Sequence, residues 1–135
     1  MNIINEFLSL KDFKSIIFGN NKIEISEEVA TRVSESFDFL KEFSANKVIY
    51  GVNTGFGPMA QYRIQDEDRI QLQYNLIRSH SSGTGNPLSA ENVKAAILAR
   101  LNTLSLGNSG VHPSVIYLMK EFINRDITPL IFEHG

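Results

Sequence analysis

No cysteine occurs in the 135 residues, which excludes a disulfide framework, a thiolate metal site and a cysteine nucleophile. Charge of one sign is nowhere concentrated. The 13 Lys and Arg stand against 15 Asp and Glu, a net of −2, and no basic block of the kind that tracks phosphates is present, which speaks against nucleic acid as a partner. No apolar run approaches the length of a membrane span. Met1 to Gly19 lacks a basic start and is interrupted by Glu6, Lys11 and Asp12, unlike a secretory signal, so a cytoplasmic protein fits. Neither an internal repeat, a low-complexity segment nor a Gly/Ser linker divides the chain, and residues 1–135 read as one domain.

What is there is helical periodicity. Ser9 can cap a first helix with Asp12 three residues on; Phe13, Ile16 and Ile17 share one face until Gly19 stops it. Ile23 and Ile25 alternate with Lys22 and Glu24, a brief strand. Val29, Val33, Phe37, Leu40 and Phe43 recur at steps of three or four and predict an amphipathic helix over 27–45. Lys47-Val48-Ile49-Tyr50 is a short β-prone run. A helix starting at Asp66 and ending near His80 carries Ile70, Tyr74 and Ile77 on one face. Ser89 caps another with Val93, Ile97, Leu98, Leu101 and Leu104 as its stripe, and a last helix runs from about Pro113 to Asp126 through Val115, Met119 and Phe122. The expected class is mainly α with one or two short β-strands.

Three segments interrupt this pattern. Tyr50-Gly51-Val52-Asn53-Thr54-Gly55-Phe56-Gly57 places a phenol at the mouth of a loop whose glycines let a backbone or ligand approach closely. Arg78-Ser79-His80-Ser81-Ser82-Gly83-Thr84-Gly85 ends a helix in a flexible turn, and Leu104-Ser105-Leu106-Gly107-Asn108-Ser109-Gly110-Val111-His112-Pro113 breaks another. In this order they resemble the N-terminal part of the aromatic amino acid ammonia-lyases, the tyrosine and histidine ammonia-lyase family, from about Ile4 to Gly135.

The resemblance implies the N-terminal part of the aspartase-like helical lyase fold, without the central helical bundle and C-terminal region. It also implies loss of ammonia from an aromatic amino acid, L-tyrosine giving p-coumarate or L-histidine giving urocanate, in a homotetramer. Tyr50 matches the family's proton-abstracting tyrosine. His80 matches the position that meets the substrate ring, where histidine goes with tyrosine or histidine as substrate and phenylalanine with phenylalanine; Ser81-Ser82 leans toward tyrosine. Gly57 matches a glycine that makes room near the substrate. The electrophilic cofactor, 4-methylideneimidazol-5-one (MIO), arises in the family from an Ala-Ser-Gly that would follow Pro129 to Gly135, so the 135 residues by themselves are expected to be inactive. An aminomutase of the same family shares these motifs, and a non-catalytic helical interaction fragment is the third reading.

Each motif also has a plainer role. Tyr50 can be an aromatic closing a strand, His80 a helix C-terminal cap suited to the dipole, and Gly57 a turn glycine. Asn108, Ser109 and His112 read better as a helix break than as a polar site. Ser81-Ser82-Gly83 lacks the leading alanine of the cyclising tripeptide, and Glu133 and His134 are adjacent without being an acid–base pair. His80, His112 and His134 have no metal-ligand spacing, and no metal is expected.

Overall fold

A computed structural model describes residues 2–5 and 7–134, Asp66 by its backbone alone. Met1, Glu6 and Gly135, the ends of the expected domain and one residue interrupting its start, lie outside the described residues. The elements are β1 (Asn2–Ile4), α1 (Leu10–Gly19), β2 (Ile23–Ile25), α2 (Glu27–Ser44), α3 (Arg69–His80), β3 (Thr84–Pro87), α4 (Ala90–Leu104), α5 (Ser114–Asn124) and β4 (Phe132–His134). Short 3-10 turns at Gly57–Met59 and Asp66–Asp68 precede α3. The chain divides into two compact units, Met1–Phe39 with Pro87–Ile131 and Leu40–Asn86 with Phe132–Gly135.

In the first unit β1 and β2 pair in parallel, Asn2 opposite Ile23 and Ile4 opposite Ile25, with α1 as the crossover that parallel pairing needs. α1 starts with the capping box read from its sequence: the Ser9 hydroxyl accepts from the Asp12 amide while the Asp12 carboxylate takes the Ser9 N–H. The Ser9 hydroxyl, donating to Asp12 Oδ2 at 2.6 Å, and then the Ser9 N–H hold the Asp12 carboxyl below its usual range. Ile4, Ile16, Ile23, Val29, Val33, Leu98, Leu101 and Ile116 are almost wholly buried in one core. Each such side chain contributes about 1.5–3 kcal/mol relative to exposure.

Two side chains from α5 lock β2. The Asn124 amide mimics a neighbouring strand, accepting from Ile23 N at 2.8 Å and donating to Ile23 O at 2.9 Å. Lys120 Nζ lies 2.9 Å from Glu24 Oε1, and its hydrogen bond holds the Glu24 carboxyl below its ordinary value of 4.5. Because the folded-state pKa is the lower one, the stabilisation is present above 4.5 and lost as pH falls through the folded value. Lys120→Met should therefore shallow the acid limb of the stability–pH profile, read by denaturant midpoints; superimposable limbs would deny the pair any such role.

The predicted helices all form, and the structure corrects the face of α5 and the β-prone run at 47–50. On α5 the buried residues are Ile116 and Ile123, with Met119 half-buried, whereas Val115 is exposed; the seam lies one position on because the Asn124 and Lys120 bonds fix the helix rotation against β2. The stripe of α3 stays uncovered, Ile70, Tyr74 and Ile77 being 71%, 55% and 61% exposed. Lys47 to Tyr50 is not a strand but a bend and turn, since the Lys47 carbonyl and Ile49 amide that a sheet partner would need are taken by the Asn53 side chain. Among the described residues the short strands lie in two two-stranded sheets, β1 with β2 and β3 with β4; β3, Thr-Gly-Asn-Pro, carries little β-propensity signal and is made by tertiary pairing.

Candidate active site

The three residues singled out by sequence all belong to the second unit, on the loop after α2 and on α3. The loop is tied down by two buried polar side chains. Asn53 is wholly buried, its Oδ1 accepting from Ile49 N at 2.7 Å and its Nδ2 donating to Ser44 O at 3.0 Å and Lys47 O at 2.6 Å. Thr54 is buried as well; its hydroxyl donates to Gly55 O at 2.9 Å and accepts from Gly51 N at 3.3 Å. The returning strand of the loop is closed by Gly55 N to Tyr62 O at 3.1 Å and Ile64 N to Asn53 O at 3.0 Å. The sequence assigns no separate role to Asn53 or Thr54 within the glycine motif. Their signal was available: polar side chains between glycines can replace the main-chain partners that an irregular segment lacks.

Tyr50 emerges from this base. Its ring meets Phe56 edge-on, centroids 6.1 Å apart, and its side chain stays largely in the open at 63% exposure. The Gly57 amide points at the Tyr50 hydroxyl oxygen, N to O 3.5 Å, the long limit of a hydrogen bond. Gly57 has φ of +54°, and no atom lies within 4 Å of where a Cβ would stand. Its glycine thus serves the backbone turn that aims its N–H, and it leaves open space beside it. Two of the predicted residues, Tyr50 and Gly57, are brought together.

His80 ends α3 among side chains that satisfy the helix's last carbonyls. Its Nδ1 lies 2.9 Å from Leu76 O and 2.9 Å from Ser79 Oγ; Ser79 Oγ donates to Leu76 O at 2.9 Å and Ser81 Oγ to Ile77 O at 2.5 Å. The capping role is therefore realised. A carbonyl only accepts, so a hydrogen bond to Leu76 O requires the tautomer with the proton on Nδ1, in which Nε2 is an acceptor. Among the described residues no hydrogen bond joins His80 to Tyr50 or Gly57.

Between the loop and α3 runs an open, almost wholly apolar groove of about 360 Å³, lined by Gly55, Phe56, Met59, Ile64, Leu72 and Leu76. Phe56, which packs on Tyr50, and Ser79, which is bonded to His80, both belong to its lining.

The remaining motifs are structural. Gly107 and Gly110 take positive φ, the Gly110 amide donates to Ser36 Oγ at 3.1 Å, and His112 packs edge-on against Phe37 with centroids 5.0 Å apart. Glu133 on β4 accepts from the main-chain and side-chain N–H groups of Asn86 on β3, each at 3.4 Å. Ser81-Ser82-Gly83 lies exposed between α3 and β3, with no alanine before it, so the described residues do not include a precursor of the electrophilic group. Among them no three of His, Asp and Glu gather into a metal-binding group.

Comparison with known proteins gives this architecture a family. Residues 8–135 match the family model of aromatic amino acid lyases, and the chain belongs to that family. It is 38% identical over 129 residues to the probable histidine ammonia-lyase of Thermoplasma acidophilum, covering 95% of this chain and 26% of that protein. It is 35% identical over 136 residues to the histidine ammonia-lyase of Stigmatella aurantiaca, covering 100% and 27%. Among solved structures, the tyrosine aminomutase from Streptomyces globisporus superposes with a TM-score of 0.90 at 31% identity, over 99% of this chain and 26% of that one. The chain thus spans about a quarter of the length of these proteins, and its fold is the N-terminal part of the aromatic amino acid lyase fold.

Proposed function

We propose that this chain forms the N-terminal part of an ammonia-lyase and gives it Tyr50 as the base and His80 and Gly57 as substrate-binding groups. The observation that carries the reading is the exposed Tyr50 hydroxyl facing the Gly57 amide at the end of an apolar groove-bearing loop. In the elimination the bond from the substrate's β-carbon to hydrogen breaks, the proton goes to the Tyr50 oxygen, the C–N bond breaks and ammonia leaves an α,β-unsaturated acid. A phenol titrates near 10 in water, so a phenolate base at neutral pH needs donors; the Gly57 N–H is one, strengthened once substrate excludes water. MIO formed from sequence after Gly135 would supply the activation of the amine as a leaving group.

His80 presents Nε2 as an acceptor to a ring N–H or phenol O–H, which a phenyl ring cannot offer. L-Histidine is the first choice of substrate, supported by the two histidine ammonia-lyase relatives, and L-tyrosine the second, supported by Ser81-Ser82. The uncovered α3 stripe of Ile70, Tyr74 and Ile77 supports an assembly, a homotetramer in this reading, in which neighbouring chain covers it. A second reading, an aminomutase that re-adds ammonia at the β-carbon, is supported by the aminomutase likeness.

The test is product analysis of the full-length protein with L-histidine, L-tyrosine and L-phenylalanine. Ammonia and urocanate in equal amounts support the first choice, ammonia and p-coumarate the second; a β-amino acid selects the aminomutase, and no turnover of any of them overturns the enzymatic reading. His80→Phe should then move the kcat/KM ratio toward phenylalanine by roughly 10-fold or more, since a site built for a polar partner discriminates strongly. An unmoved ratio would place the selector elsewhere.

A further inference from the structure

The base of the loop carries an assignment beyond Tyr50 itself. Ile49, the residue before Tyr50, is held twice by Asn53: its N–H donates to Asn53 Oδ1 at 2.7 Å and its carbonyl accepts the Asn53 N–H at 3.2 Å. The Val52 amide shares that carbonyl at 3.1 Å. Both N–H groups of the Asn53 amide are spent on Ser44 O and Lys47 O, which anchors the turn to the end of α2, and the Asn53 carbonyl takes Ile64 N at 3.0 Å. Tyr50 is therefore the first residue of a turn closed at its neck by one wholly buried side chain.

We propose that Asn53 is a positioning residue for Tyr50, clamping residues 49 to 53 so that the phenol oxygen stays within reach of the Gly57 amide. The proposal rests on the reading of Tyr50 as the base. At 3.5 Å the Tyr50–Gly57 contact has no slack, and a shift of a few tenths of an ångström at the neck breaks it. Neither serine nor aspartate reproduces the clamp. Serine is too short to span from Ile49 N to Ser44 O, and aspartate, the same shape, swaps two donors for lone pairs facing two carbonyl oxygens.

That last difference makes the role measurable. In Asn53→Asp the ionised carboxylate repels Ser44 O and Lys47 O, whereas the protonated acid donates to one of them while still accepting from Ile49 N. The variant's kcat relative to the parent enzyme should therefore fall as pH rises, by on the order of 100-fold at the alkaline end, with KM little changed. It should recover toward acid pH, which Asn53→Ser, low at every pH, should not. Amide exchange at Ile49 and Val52, read by mass spectrometry on the full-length protein, should quicken in both variants without reference to catalysis.

Tyr50→Phe run alongside separates the two claims. If it is nearly inactive and Asn53→Asp keeps parental kcat across the pH range, the clamp is overturned and the base reading stands. Near-parental turnover by Tyr50→Phe overturns the base reading, and the positioning role with it. If Asn53→Asp does not fold, Asn53→Ser carries the decision: a loss in kcat with KM unchanged supports the clamp, and unchanged kcat overturns it.

Discussion

Tyr50→Phe should lower turnover of the full-length protein by roughly 10²–10⁴-fold, the usual worth of a positioned acid–base group, with only a small change in KM. The substitution removes one oxygen and leaves the ring, so the edge-on contact with Phe56 survives and the loop below, tied by Asn53 and Thr54, is not asked to move. What is lost is the proton acceptor and the partner of the Gly57 amide. Steady-state kinetics with the preferred substrate reads the outcome. Turnover within a few-fold of the parent would remove Tyr50 from the base role and leave it as the plain aromatic that its sequence position equally allows.

Gly107→Ala should have the largest effect on stability, destabilising by about 2–4 kcal/mol. Two costs add. Gly107 has φ of +73°, where an L-residue is strained, and an added Cβ would stand 2.5 Å from Arg32 Cγ and 3.1 Å from the Arg32 carbonyl oxygen. Arg32 cannot swing aside freely, because its Nε donates to Ser105 O at 3.3 Å and a terminal nitrogen to Asn5 O at 3.0 Å. Gly19→Ala is the matched control: no positive φ, and only Asn21 Nδ2 at 3.7 Å. Chemical denaturation of the two variants checks the difference; equal midpoints would mean that the α2 contact with the turn after α4 yields at little cost. The same geometry explains why the segment from Leu104 to Pro113 is so rich in glycine without being a polar site. It is where α4 stops and the chain docks on α2.

The parts legible in the sequence were those whose cause is local. Ser9 with Asp12 and Ser89 with Asn92 cap α1 and α4 across three residues, and the stripes of Val29 with Val33 and of Val93, Leu98, Leu101 and Leu104 point inward as their spacing requires. The motif order that carried the resemblance likewise led to the family that residues 8–135 match. Pattern failed where a side chain outside the repeat, or whatever lies against a face, decides. Lys47 to Tyr50 has the residues of a strand, yet Asn53 satisfies its main chain first. The α3 stripe has helical spacing but is uncovered in the described residues, since periodicity says that a face is apolar and not what lies against it.

By itself the sequence determined that the chain is mainly helical, that it lacks cysteine chemistry, and that its three loop motifs stand in the order of the aromatic amino acid lyases. Only the tertiary structure decided that Asn53 is a buried clamp, that Asn124 and Lys120 set the rotation of α5 on β2, and that the Gly57 amide meets the Tyr50 oxygen. The physical reason is reach. Caps and periodic faces are written within three or four residues of one another, whereas a hydrogen bond from position 124 to position 23 depends on where the whole chain between them is folded.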